Sequence, residues 1–116
     1  MLQGRQWLEE LLKLAGSPAQ VTVDSSKLES EGSNWLIIDD RTLSPQQIDR
    51  LIGDNGSVLD AIQYLANTTL NLGQPETLQT AYTIELAGYR VRRQAELQSL
   101  AEQAVQQVRS TGREYE

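Results

Sequence analysis

The sequence has no cysteine, no histidine and no phenylalanine, and only three prolines. Without cysteine there is neither a disulfide framework nor a thiolate nucleophile. Without histidine the commonest general base, the usual catalytic triads and most zinc sites are excluded. Long apolar runs are missing as well, so nothing reads as a membrane span. The N-terminal stretch MLQGRQWLEELLKL carries Glu9 and Glu10 and lacks the apolar core of a secretory signal. A cytoplasmic protein with no membrane insertion, no cofactor, no metal and no catalytic constellation is expected, hence not an enzyme.

What is present fits one domain. A chain of 116 residues can bury an ordinary core without staples. The net charge is −6, which by itself argues against generic nucleic-acid binding, since that needs a basic surface. The charge is unevenly spread. Residues 1–89 hold 5 basic and 12 acidic side chains, a net −7, and the last three residues add −2. Residues 90–113 hold five arginines and two glutamates, a net +3. Positive charge is concentrated near the C-terminus.

Trp7, Leu8, Leu11, Leu12 and Leu14 recur at helical spacing before Gly16 and Pro18, which predicts an amphipathic helix over 3–15. Val21 and Val23 alternate with polar neighbours, ESEGSN forms a turn, and WLIID is short and rich in β-formers. These predict a hairpin with strands near 20–28 and 33–39. Ser44-Pro45-Gln46-Gln47 is a helix start with a capping box, and Gly53 ends that helix. A second helix opens after Gly56, with Val58, Leu59, Ile62, Leu65 and Ala66 as its buried stripe. LQTAYTIELAG reads as a strand with Tyr82, Ile84 and Leu86 on one side. From Tyr89 to Thr111 the pattern is helical again, with Leu97, Leu100, Ala104 and Val108 on one stripe and Gly112 as its stop. The order α-β-β-α-α-β-α, with the second and third strands parallel across a helical crossover, predicts an α+β sandwich: a three-stranded mixed sheet with helices packed on one face.

The segment LIGDNGSVLDAIQYLAN, residues 51–67, joins the two middle helices through G-x-x-G. Asp, Asn, Gly and Ser are turn formers, and the plainest reading is a helix–helix turn. The functional reading is an anion site. Exposed backbone N–H groups and the positive end of the following helix can hold phosphate without a basic side chain. Glycine at both ends permits positive φ and close approach of a sugar-phosphate backbone. KH domains clamp about four nucleotides with such a loop.

The element order is that of a type II KH domain. LIGDNGSVLDAIQYLAN further resembles the Jag family, also called EloR or KhpB, of bacterial RNA-binding proteins, which typically shows LIG, two polar residues, G, and a helix like LDALQYLVN. YTIELAGYRVRRQAELQSLAEQAVQQVRSTG resembles the family's last KH strand, its GYRERR-type turn and the long helix that follows. The resemblance covers roughly residues 20–113. It implies an RNA-binding, post-transcriptional role linked to cell shape and elongation, with single-stranded RNA and a small KH-domain protein or a second copy as partners. It also implies an organisation: residues 1–18 as the N-terminal helix of the KH domain, 19–89 as the KH core with its loop at 53–56, and 90–116 as a helix leading towards a second nucleic-acid module. That module is the small domain named for its arginine–histidine motif.

The family loop maps onto Gly53, Asp54, Asn55 and Gly56. Ile52, Ser57 and Val58 flank it, with Ile52 and Val58 as apolar contacts to bases. Arg90, Arg92 and Arg93 form the nearby basic cluster, read either as phosphate contacts or as a solvated helix face. One departure is chemical: the family usually carries Lys or Arg where Asp54 and Asn55 stand. A charge about 4 Å from a phosphate is worth roughly 1 kcal/mol in water and about 4 kcal/mol at an effective dielectric near 20. Exchanging attraction for repulsion doubles the swing, against about 0.3–1 kcal/mol from a helix terminus. Weak RNA binding through this loop is therefore expected unless Asp54 turns away to cap the next helix. The competing reading is a KH fold kept as an interaction or dimerisation unit. Asp39-Asp40 does not form a site pair, because adjacent strand-end residues point apart. Trp7, Trp35, Tyr64 and Tyr82 are expected in the core.

Overall fold

A computed structural model describes residues 2–114, and so excludes Met1, Tyr115 and Glu116 at the two ends of the expected segments. The elements are α1 (Leu2–Leu14), β1 (Val21–Asp24), α2 (Leu28–Glu31), β2 (Ser33–Ile38), α3 (Pro45–Ile52), α4 (Ser57–Asn71), β3 (Ala81–Leu86) and α5 (Tyr89–Glu114), with 3-10 turns at 40–42, 54–56 and 76–78. The three strands form one mixed sheet in the order β1-β2-β3. β1 and β2 pair antiparallel, with Val21 opposite Ile38, while β2 and β3 pair parallel, with Leu36 opposite Ile84. The fold class is the one expected, α+β with a three-stranded mixed sheet.

The core lies between one sheet face and three helices. Leu8 and Leu12 from α1, Leu51 from α3, and Leu59, Ile62, Ala66 and Leu70 from α4 meet Val21, Leu36, Ile38, Ile84 and Leu86. Gly4 lets α1 lie close to this face, because a Cβ there would sit 3.2 Å from the Tyr82 ring. α3 starts as its sequence dictates. Ser44 accepts from the Gln47 N–H and the Gln47 side chain accepts from the Ser44 N–H, with Pro45 in the first turn.

β3 is an edge strand, and its outer edge is closed by side chains. On α4, Gln63, Asn67 and Asn71 are spaced by four and share one stripe. Asn71 Oδ1 accepts from the Thr80 N–H and its Nδ2 donates to the Thr80 carbonyl, both at 2.8 Å. Asn67 repeats the pair on Tyr82 at 2.8 and 3.0 Å. Gln63 Oε1 accepts from the Ile84 N–H at 3.0 Å, and Arg90 Nε donates to the Ile84 carbonyl at 2.7 Å. Three amides and a guanidinium thus take the place of a fourth strand. An open edge would invite pairing with another chain.

Several local expectations are corrected. ESEGSN holds a single helical turn, α2, ended by Gly32 in the left-handed region. Its Glu31 accepts from the Trp35 indole, and Lys27 lies 3.7 Å over the Trp35 ring. Trp35 is buried on the sheet face away from the main core by these local contacts. Both hairpin strands are shorter than expected. On α4 the buried stripe runs Leu59, Ile62, Ala66, Leu70, whereas Val58, Leu65 and Tyr64 are exposed, Tyr64 at 71%. The helix is rotated so that its amides can reach β3, and that rotation turns Tyr64 outward. α5 continues past Gly112. An interior glycine in an exposed helix costs about 1 kcal/mol but removes no hydrogen bond. The α5 residues Leu97, Leu100 and Val108 are half exposed or more, so the expected stripe is not part of the core.

Asn67→Ala leaves the Tyr82 N–H and carbonyl without partners. It is expected to lower unfolding free energy by about 1–3 kcal/mol in urea titration, whereas Thr68→Ala on the exposed side of α4 changes it by under about 0.5 kcal/mol.

Candidate nucleic-acid interface

The loop between α3 and α4 is a tight reversal. Gly53 ends α3 with φ 75° and ψ −178°, Asn55 is left-handed at φ 53°, and Gly56 precedes α4 at φ 80°. The Gly53 N–H donates to the Asp49 carbonyl at 2.8 Å. The Asp54 and Asn55 N–H groups have no hydrogen-bond partner among the described residues, and no side chain caps the N-terminus of α4. Free N–H groups at a helix start make an anion-binding concavity.

Both glycines are also required by the protein's own packing. A Cβ on Gly53 would lie 2.5 Å from Val58 Cγ2 and 2.8 Å from the Val58 backbone nitrogen. A Cβ on Gly56 would lie 2.7 Å from Tyr89 Cε1 and 2.8 Å from its Oη. The phenol of Tyr89 therefore rests on the second glycine, fixing the loop against the start of α5. This was not readable from the G-x-x-G pattern, whose two glycines would be needed with or without a ligand.

Glu85 sets where α5 starts. It is 5% exposed and accepts from three backbone N–H groups: Leu86 at 3.0 Å, Arg90 at 2.8 Å and Val91 at 3.2 Å. A carboxylate at a helix N-terminus satisfies orphan donors and opposes the helix dipole. Arg90 is then clamped. Besides the Ile84 carbonyl, it reaches Asp60 Oδ1 on the first turn of α4 at 2.9 Å, with its own side chain 17% exposed. Its Nη2 is buried with no partner among the described residues.

The expected site residues separate into groups. Gly53, Asp54, Asn55, Gly56, Ser57 and Val58 form the loop and its exit. Ile52 is half-buried against the core, and Val58 is 38% exposed over Gly53. Arg90 and Arg93 share a cleft with Asn55. Arg92 is exposed and does not line that cleft. The cluster is not freely cationic, because Arg90 pairs with Asp60 and Arg93 with Glu96 at 3.3 Å. Asp54 is exposed and makes no side-chain cap, so its carboxylate remains at the loop. Sequence reasoning missed Asp60 and Glu85 as parts of this region. Only the spacing of Asp60, four residues beyond Gly56, hinted at a place in the first turn.

Asp39 and Asp40 do not converge. Asp39 binds Arg41 through both carboxylate oxygens, and these hydrogen bonds pull its pKa down to about 2. No group of three or more potential metal ligands occurs among the described residues. A larger open cleft of about 680 Å³ lies on the β1 side, with Lys13, Pro18, Gln20 and Thr42 among its lining. Its Glu9 is taken up by the Val21 N–H and its Asp39 and Arg41 by each other. None of the expected site residues lines it. No helix among the described residues is long and apolar enough to cross a membrane.

Comparison with protein-family models and with curated proteins finds no match.

Gly56→Ala is expected to destabilise the protein by about 1–2 kcal/mol through its left-handed backbone alone, plus the clash with Tyr89. In chemical unfolding, adding Tyr89→Leu to Gly56→Ala should recover the clash component and not the backbone component.

Proposed function

We propose that the chain is an RNA-binding module of the KH type, holding single-stranded RNA weakly through the loop at residues 53–56. One observation carries the reading: a glycine-flanked reversal with two free N–H groups, at Asp54 and Asn55, ahead of a helix start that has no side-chain cap, set between α3 and α4. The sequence resemblance to the Jag family points the same way. A cytoplasmic, post-transcriptional role in a bacterium, with a small KH-domain protein as possible companion, rests on that resemblance.

Charge decides how tightly such a loop binds. The backbone groups attract phosphate, the exposed Asp54 repels it, and the nearest arginines are already paired with acids. Exposed charge pairs are each worth about 0.2–1 kcal/mol, so reversing one charge beside a bound strand gives about a tenfold change. In equilibrium titration of random single-stranded RNA octamers, Asp54→Lys is expected to tighten binding about tenfold and steepen its salt dependence. Equal affinities for the native and Asp54→Lys chains would place RNA away from the loop.

A second reading has its own support. Leu97, Leu100, Val105 and Val108 lie on α5 at 49–71% exposure, which favours an interaction module in which this helix pairs with a second copy. Sedimentation equilibrium of the full chain checks it. Association that weakens in Leu100→Glu and is insensitive to salt is expected on this reading, and a monomer at all concentrations removes it.

A further inference from the structure

Beside the glycine loop is a cleft of about 300 Å³ between the loop and the first turns of α5. Asn55, Tyr89, Arg90, Arg93, Gln94 and Leu97 line it, with Asp60 at its α4 wall. We infer that this cleft receives one unstacked nucleobase of a strand whose phosphate lies on the loop. The inference rests on the RNA-binding reading and adds to it a place where a base is held outside the loop itself.

Charge argues for a base in preference to a phosphate. The Arg90 guanidinium is neutralised by Asp60 and fixed by the Ile84 carbonyl, and Arg93 is shared with Glu96. A near-neutral cleft offers little to a dianion but suits an uncharged ring with polar edges. The two carboxamides at the cleft, Asn55 and Gln94, make no side-chain hydrogen bond among the described residues. Each offers a donor and an acceptor, the combination that reads the edge of a splayed base. Tyr89 and Leu97 supply aromatic and apolar surface, on which bases stack. The volume lies at the lower end of ligand clefts, enough for one ring system.

Continuity with the loop comes from two residues. Asn55 lies in the loop beside its free N–H and also lines the cleft. Tyr89 rests on Gly56 and lines the cleft as well. A phosphate at the loop and a base in the cleft would then belong to one nucleotide or to neighbours. Arg90, clamped on two sides, makes that wall rigid, so little side-chain ordering is left to oppose binding.

The test uses the full chain, fluorescein-labelled random single-stranded RNA octamers and an abasic octamer of the same charge. Native protein is expected to bind the base-bearing octamer about tenfold more tightly than the abasic one, the scale of one lost stack. Gln94→Leu, which replaces a cleft carboxamide with an apolar group that neither pairs with nor stacks on a base edge, should erase that difference between the two octamers. Ser99→Leu, on α5 but outside the cleft, should keep it, and thermal midpoints establish that both variants fold. An unaltered preference in Gln94→Leu overturns the cleft and leaves the loop reading standing. Absence of binding by both the native chain and Asp54→Lys overturns the two together.

Discussion

The amide ladder from α4 to the outer edge of β3 is the constraint on which the rest of the arrangement depends. A three-stranded sheet has two edges, and an edge left open exposes a row of donors and acceptors. Here Gln63, Asn67 and Asn71 meet Ile84, Tyr82 and Thr80 in turn. The ladder fixes the rotation of α4 about its axis and its height along the strand. Because α4 begins at Ser57, fixing its height also places the glycine loop beyond the C-terminal end of β3. The buried stripe Leu59, Ile62, Ala66 and Leu70 then falls on the sheet, and Tyr64 faces outward.

The end of β3 is organised by a second set of contacts that meet the first at Ile84. Glu85 caps α5, Arg90 spans from the Ile84 carbonyl to Asp60 of α4, and Tyr89 covers Gly56. Loop, α4 and α5 are held to one another by these few side chains. The Arg90–Asp60 contact, with the Arg93–Glu96 pair, offsets the charge of two of the three arginines that a sequence count assigns to residues 90–93, and Arg92 is exposed outside the cleft. Formal charge near a loop is a poor guide to its potential when the cations lining it already have acidic partners.

This bears on how a glycine loop is read. Gly53 and Gly56 have positive φ and no room for a Cβ, so internal packing alone demands them. What distinguishes the loop from an ordinary helix–helix turn is the pair of free N–H groups at Asp54 and Asn55 and the lack of a side-chain cap on α4. Against them stands the carboxylate of Asp54. The balance is between backbone dipoles that are always present and one side-chain charge that a single substitution reverses.

The sequence by itself determined the order of the three strands and the four longer helices, the capping box at Ser44, the helix stop at Gly53, the parallel pairing of β2 with β3, the buried α4 positions Leu59, Ile62 and Ala66, and the shared face of Ile84 and Leu86. These follow from local propensity and from periods of two and 3.6, which act over a few residues. It also placed Gly53 to Gly56 between two helices. The tertiary structure alone decided that Gln63, Asn67 and Asn71 close an edge, that Tyr64 and Leu65 lie outside, that α5 leaves its apolar stripe uncovered, and that Arg90 faces Asp60 across 30 positions of chain. Those depend on which elements are neighbours in space, and a period along one helix carries no information about the backbone groups of a strand it will meet. The uncapped Asp54 belongs with them, since its freedom to repel a phosphate is set by the fold of the loop around it.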